Sequence, residues 1–299
     1  MKLAFLYAGQ GSQHVGMGRD LYENYPAFRA VLDAAPVDFD LKQLCFEGPE
    51  EQLNDTRYTQ PCMVAFAAGV TAVLKEEGIT PAYTAGLSLG EYSALHCAGV
   101  LDAPTAISLV AFRGKAMAEA VVGRPCGMAA VLQLDRDALK KACEEASGLG
   151  VVECTNFNCP GQVSVSGAAE SMPSFFADVK AAGGKAIPLK VRGAFHSPMM
   201  KDAAKDFETE LKSVKMGKPT LTVYSDMTAS PYTDDVVNLL SNQICSPVQW
   251  ERAVRNMIAS GIDTFVEIGT GKTLCNMIRK IDAEVKTYST EEYLAEVEA

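Results

Sequence analysis

Five residues constrain this chain more than any others. Gly86-Leu87-Ser88-Leu89-Gly90 fits the pattern G-x-S-x-G and falls between a short apolar run, Ala82 to Leu87, and a helical segment reaching Ala98. A serine so placed sits on a sharp strand-to-helix turn, with the glycines leaving room for the chain to reverse. Such a turn belongs to an α/β layer, in which a buried strand feeds a helix that packs back over the sheet. The serine oxygen then projects from the carboxyl edge of the sheet. The Leu89 N–H, at the helix start, points where an oxyanion would form. The bare pattern is common by chance; the strand before it and the helix after it give it weight.

The rest of the chain supplies elements for that sheet. Leu3 to Ala8 is apolar with no polar face, the mark of a strand covered on both sides, and it runs into Gly9-Gln10-Gly11-Ser12-Gln13. Helical periodicity extends from Met17 to about Leu32 and from Pro61 to Glu77, and Asp102 caps a helix reaching about Val122. The middle has another rhythm. A strand over Gly127 to Leu134 precedes a helix from Asp135 to about Ala146. Strands Val151 to Phe157 and Gln162 to Ser166 flank the turn Asn158-Cys159-Pro160-Gly161, before a helix from Ala168 to Ala182 and a strand from Lys185 to Val191. That β-α-β-β-α-β order is the ferredoxin-like unit, inserted over 125–192 into a parallel-sheet α/β domain made of 1–124 and 193–299. Beyond it come a helix from about Pro198 to Val214, a strand at Leu221 to Tyr224, helices near Asp234 to Ile244 and Pro247 to Ser260, and a strand at Thr264 to Ile268.

Composition excludes some classes. With 299 residues, 48% of them hydrophobic, the chain buries a full core and is not disordered. Its formal charge of −10 argues against a general nucleic-acid binder, and obliges any anionic ligand to meet local positive charge. Nine cysteines without a C-x-x-C read as reduced core residues, not as metal ligands. The apolar start is too short for a signal peptide, and the stretch Cys62 to Leu74 falls well short of a membrane span. The expectation is a soluble, cytoplasmic chain with no nucleic-acid and no membrane partner.

A serine needs a base near neutral pH, and histidine is the usual one. The chain has three. His96 lies on the elbow helix, roughly 12 Å along the axis from Ser88, too far to reach. His14 follows the Gly-Gln-Gly turn, where capping or solvent exposure is its expected role. His196, in Gly193-Ala194-Phe195-His196-Ser197-Pro198, lies downstream of the serine, as the hydrolase-like order demands. Elimination leaves His196 as the base, and no nearby acid stands out as a third member. Arg113, in Phe112-Arg113-Gly114-Lys115, is a candidate clamp for a carboxylate, although a lone helical arginine is more often a solvated charge.

Several motifs occur together and in order: Gly9-Gln10-Gly11-Ser12-Gln13, Thr59-Gln60-Pro61, Gly86-Leu87-Ser88-Leu89-Gly90-Glu91-Tyr92, Arg113-Gly114-Lys115, Asn156-Phe157-Asn158-Cys159-Pro160-Gly161-Gln162, Ala194-Phe195-His196 and Pro247-Val248-Gln249-Trp250. Over essentially its whole length the chain resembles the malonyl-CoA:acyl-carrier-protein transacylases of fatty acid synthesis. The resemblance implies an α/β-hydrolase-like domain interrupted by a ferredoxin-like subdomain. It implies that Ser88 carries the malonyl group as an ester, that His196 moves the proton, and that the main-chain carbonyl of Gln243 holds the imidazole. Gln10 and Leu89 would supply oxyanion-hole N–H groups. Arg113 would pair with the malonyl carboxylate, and Gln60 and Asn158 would line the acyl and pantetheine path. The implied partners are a CoA thioester and acyl carrier protein, which brings its own phosphopantetheine, and no cofactor is implied for the chain itself.

Two positions qualify the resemblance. Leu87 stands where this family often has histidine, and Phe195 matches the malonyl-selective pattern, its ring expected to crowd an α-methyl branch. The competing readings are a serine esterase or thioesterase built on the same Ser88 and His196, a trans-acting polyketide acyltransferase, and a carrier-docking scaffold with a relict site. Lys185, Lys190, Arg192, Lys272, Arg279 and Lys280 are candidates for a basic patch that meets an acidic carrier.

Overall fold

Two β-sheets organise the chain in the computed structural model, which describes residues 2–233 and 235–298. The strands, in chain order, are β1 (Leu3–Tyr7), β2 (Tyr83–Gly86), β3 (Cys126–Leu132), β4 (Val152–Cys159), β5 (Gln162–Ala168), β6 (Lys185–Pro188), β7 (Thr222–Tyr224), β8 (Thr264–Ile268) and β9 (Lys286–Ser289). The first sheet has the order β7-β2-β1-β8-β9 and is parallel throughout. Every residue of β1 and β8 is buried, because helices cover both faces, which is why those segments read as continuous apolar runs. Pairing of Tyr7 with Gly86 and Ile268, and of Ala85 with Tyr224, aligns the strand ends. The loops after β1, β2, β7 and β8 therefore open side by side at the carboxyl edge, where open α/β sheets bind their ligands.

The second sheet is antiparallel, in the order β4-β5-β3-β6, with helices Arg136–Ala146 and Met172–Ala181 packed on it. Its separate small core includes Val131, Leu139, Val165, Phe175 and Val179. Two of the contacts that tie this sheet to the rest of the chain are made at its strands. Val248 exchanges hydrogen bonds with the edge strand β4, donating to Thr155 O and accepting from Phe157 N, each at 2.8 Å. On β5, Ser166 Oγ donates to Phe195 O at 2.7 Å and so steadies the loop that carries His196.

Several elements differ from the sequence pattern for identifiable reasons. The helix expected over 17–32 is two, Arg19–Asn24 and Pro26–Asp33, because Pro26 forces Tyr25 into an extended conformation (φ −117°). The helix expected from Pro61 begins at Thr56. Asp55 caps it by accepting the Arg57 N–H at 3.0 Å, and Pro61 is buried inside it. The segment expected as Pro198–Val214 opens with a 3₁₀ turn at Pro198–Met200 before the α-helix Lys201–Ser213. The helix expected near 234–244 spans Val236–Gln243, and Asp234 lies outside the described residues. The next begins only at Trp250, because Val248 is drawn into extended pairing with β4. Strand β9 passed unnoticed because it is a short edge strand of mixed polarity, Lys-Thr-Tyr-Ser.

Candidate active site

The elbow follows directly from close packing. A Cβ on Gly86 would lie 1.8 Å from the Gly90 carbonyl carbon, and one on Gly90 would lie 2.1 Å from Tyr7 O, so neither position admits a side chain. Between them Ser88 adopts φ 54°, a left-handed conformation that costs about 1–3 kcal/mol and lifts its oxygen clear of the sheet. Leu89, ahead of helix Gly90–Cys97, has an N–H with no intrahelical acceptor. The turn after β1, which carries Gln10, abuts the elbow so closely that a Cβ on Gly9 would meet Leu87 O at 2.6 Å.

Ser88 Oγ lies 2.7 Å from His196 Nε2, and His196 Nδ1 lies 2.8 Å from the main-chain oxygen of Gln243. A carbonyl oxygen only accepts, so the imidazole proton is on Nδ1 and the lone pair of Nε2 faces the serine hydroxyl. The loop reinforces this: His196 adopts φ 59°, and its own N–H donates to Ile244 O at 3.0 Å. The other histidines are elsewhere. His96 Nδ1 faces Leu101 O at 3.0 Å, and His14 is an exposed residue near Ser12 O.

Arg113 joins this pair from helix Ala103–Glu119. Its guanidinium is 1% exposed and donates through Nη1 to Gln60 Oε1 (2.9 Å), and through Nη2 to Ser88 Oγ (3.2 Å) and Gln243 Oε1 (3.1 Å). Its Nε–H is buried with no partner, and among the described residues no carboxylate forms a salt bridge with it. A buried cation without an acid partner costs several kcal/mol, and an incoming anion would offset that cost.

Burial first, and the Arg113 charge second, push the His196 pKa down to about 4. The imidazole therefore stays neutral, and able to accept a proton, well below its ordinary value of about 6.5. We expect the acid limb of kcat/KM to fall near pH 4, and Arg113→Met to move that limb upward. A pH–rate profile of both proteins checks this; an acid limb near 6.5 in the unmodified protein contradicts it.

Two buried acids that pattern reading passed over stand behind the elbow. Asp226, in the loop after β7, accepts the Ser88 N–H through Oδ2 at 2.5 Å, so that N–H is not an oxyanion donor. Glu91 is fully buried in the first turn of the elbow helix. Burial raises the carboxyl pKa of both, and the neighbouring Asp226 carboxyl adds to the rise at Glu91. For Glu91 the available signal was an acid directly following the second elbow glycine in a helix that holds no other carboxylate.

The remaining expected residues are placed as follows. Gln60 orients Arg113 and donates to Thr56 Oγ1 at 3.0 Å, and Thr56 Oγ1 in turn donates to Gln10 Oε1 at 2.8 Å. Gln10 and Thr56 line a groove of about 1550 Å³ bordered by the bases Arg57, Lys115, Lys190 and Arg192 and by the acids Asp38, Glu51, Asp55, Glu119 and Glu210. Asn158 is buried on β4, donating to Ser164 Oγ at 3.3 Å across the hairpin. The Phe195 ring packs in the core against Gly193. Of the suggested basic patch, Lys190 and Arg192 border the groove. Lys272 pairs with Glu292 at 2.5 Å, Lys280 reaches Gln162, and Arg279 lines a separate depression with Lys286. Among the described residues no cluster of three or more His, Cys, Asp or Glu side chains is set to hold a metal ion, and no helix is long and apolar enough to cross a membrane.

Comparison with known proteins gives this constellation a context. The acyl transferase domain family matches residues 4–296. The chain is 41% identical over 292 residues to the malonyl CoA-acyl carrier protein transacylase of Bacillus subtilis, covering 96% of this chain and 92% of that protein. It is 40% identical over 286 residues to the protein of the same name from Escherichia coli, covering 94% and 93%. The crystal structure of malonyl CoA-acyl carrier protein transacylase from Clostridium perfringens superimposes with a TM-score of 0.95 at 35% identity, over 100% of this chain and 98% of that one. A malonyl-transacylase solved in complex with its type II PKS acyl-carrier protein superimposes with a TM-score of 0.93 at 34% identity, over 97% and 95%.

Proposed function

The chain belongs to the acyl transferase domain family, and from that membership we propose that it moves a malonyl group from malonyl-CoA to the phosphopantetheine thiol of acyl carrier protein, supplying fatty acid synthesis. The observation that carries the substrate class is the buried Arg113 guanidinium, beside the nucleophile and without an acid partner. An acyl chain ending in a free carboxylate is the ligand that such a cation requires. A generic esterase has no use for it.

The reaction runs in two matched halves. Ser88 Oγ attacks the thioester carbonyl while His196 Nε2 takes its proton, and the N–H groups of Gln10 and Leu89 face the oxyanion. Collapse breaks the C–S bond. His196 returns the proton to the departing CoA sulfur, leaving malonyl-Ser88. The carrier thiol then gives its proton to His196 and attacks the ester, and Ser88 Oγ leaves with that proton. Thioester and serine ester are close in free energy, so the site has only to exclude water and hold its groups in line. Orientation of the imidazole by the Gln243 carbonyl leaves no carboxylate in the relay. Serine, imidazole and guanidinium supply each group the chemistry needs, so the enzyme is assigned no cofactor of its own. The nine free thiols fit a cytoplasmic location. The groove bordered by Lys190 and Arg192 is the route assigned to the acidic donor and carrier.

The test presents malonyl-CoA with and without holo-carrier protein and follows where the acyl group goes. Transfer to the carrier thiol, with hydrolysis a minor path, is the expected outcome. Equal loss to water in both cases would identify a thioesterase, and no malonyl adduct at all would identify a scaffold.

A further inference from the structure

We propose that Glu91 is a positioning residue that sets the side-chain amide of Gln243, and through it the Arg113 guanidinium, in the orientation that receives an acyl carboxylate. The inference rests on the reading of Arg113 given above and concerns what stands behind it.

The Gln243 amide has chemically opposite ends, and Arg113 can only donate, so Oε1 must face the guanidinium. It does, at 3.1 Å. The opposite end is selected by two acceptors. Gln243 Nε2 donates to Ser88 O at 2.9 Å and to Glu91 Oε2 in a short contact. Glu91 is itself held from its other side, Oε1 accepting the Asp226 N–H at 2.6 Å. Both of its oxygens thus face N–H donors. A glutamine there would set its own NH₂ against one of them, whichever way its amide turned. If it met Gln243, that amide would be pushed to reverse and would present Nε2 to Arg113, donor against donor. Glu91 touches neither the reacting oxygen nor the imidazole, so its action passes through Gln243. Gln243 meanwhile holds His196 through a main-chain oxygen that side-chain substitution leaves in place.

The test compares Glu91→Gln, Gln243→Met and the double variant with the unmodified enzyme, using malonyl-CoA and acetyl-CoA as donors and thermal melting to check folding. Losing a buried hydrogen bond of this kind is expected to raise KM for malonyl-CoA about tenfold, with acetyl-CoA kcat/KM for Glu91→Gln held within about twofold. Gln243→Met is expected to raise the malonyl-CoA KM at least as much, and the double variant no more than the larger single effect. Equal losses on both donors, additive losses, or an unchanged malonyl KM would overturn the proposal. Should Glu91→Gln not fold, Glu91→Asp takes its place in the same comparison, because it keeps the carboxyl group but draws it back from Gln243. If the unmodified enzyme uses both donors equally, the reading of Arg113 falls and this proposal with it; equal losses from a malonyl-selective enzyme remove only the role of Glu91.

Discussion

Ser88→Ala is expected to end acyl transfer, lowering kcat by about 10⁴–10⁶-fold, the scale on which loss of an activated serine is felt. The hydroxyl is the group proposed to carry the malonyl ester. His196 Nε2 sits 2.7 Å from that oxygen and is oriented to take a proton from it. The fold should survive. Alanine at φ 54° meets the same backbone penalty that serine already bears, and the Ser88 N–H keeps its bond to Asp226. The variant should still bind malonyl-CoA, because Arg113 and the groove are untouched. Intact-mass measurement after mixing with malonyl-CoA is the direct check: one added malonyl group on the unmodified protein and none on the variant. An adduct that persists on Ser88→Ala would place the nucleophile elsewhere.

Replacement of Arg113 by methionine should lower kcat/KM for malonyl-CoA by about 10²–10³-fold, as expected when one member of a buried charge pair is removed. Acetyl-CoA, which offers no carboxylate, should be spared or used better. The side chain is chosen to fill the volume. Even so, Gln60 Oε1 and Gln243 Oε1 lose the donor they share, at roughly 1–3 kcal/mol for each orphaned acceptor, so the melting temperature should fall. His196 also regains part of its ordinary basicity when the adjacent positive charge is gone, so the donors must be compared above pH 7, where the imidazole is neutral in both proteins. A parallel decline for the two donors would show that Arg113 serves the nucleophile and not the cargo.

Residues whose roles are local were legible before any coordinates. Asp102 accepts the Thr105 N–H at 2.7 Å, and Asp135 those of Asp137 and Ala138. The order strand, helix, strand, strand, helix, strand in the middle of the chain appears as an antiparallel sheet of order β4-β5-β3-β6. Ser88 was legible from its elbow and His196 by elimination, whereas Arg113 read alone as a solvated charge and gained a role only through the family resemblance. Less visible were elements that announce themselves by no periodicity. The helix Thr56–Glu76 is buried on nearly every side, so its start lay in Asp55 rather than in a stripe of apolar residues.

By itself the amino-acid sequence determined the turn that presents Ser88, the alternation that builds a parallel sheet, and the inserted antiparallel unit, because each follows from dihedral preferences and side-chain spacing over a few neighbouring residues. Only the tertiary structure decided what surrounds the serine. Asp226 reaches it because β7 lies beside β2, and Glu91 meets Gln243 because two segments about 150 residues apart pack together. It decided also which of the candidate cations border the groove, Lys190 and Arg192, and which lie elsewhere, as Lys272 does against Glu292. Contacts of that kind are fixed by how distant surfaces pack, and no short stretch of sequence carries the information for them.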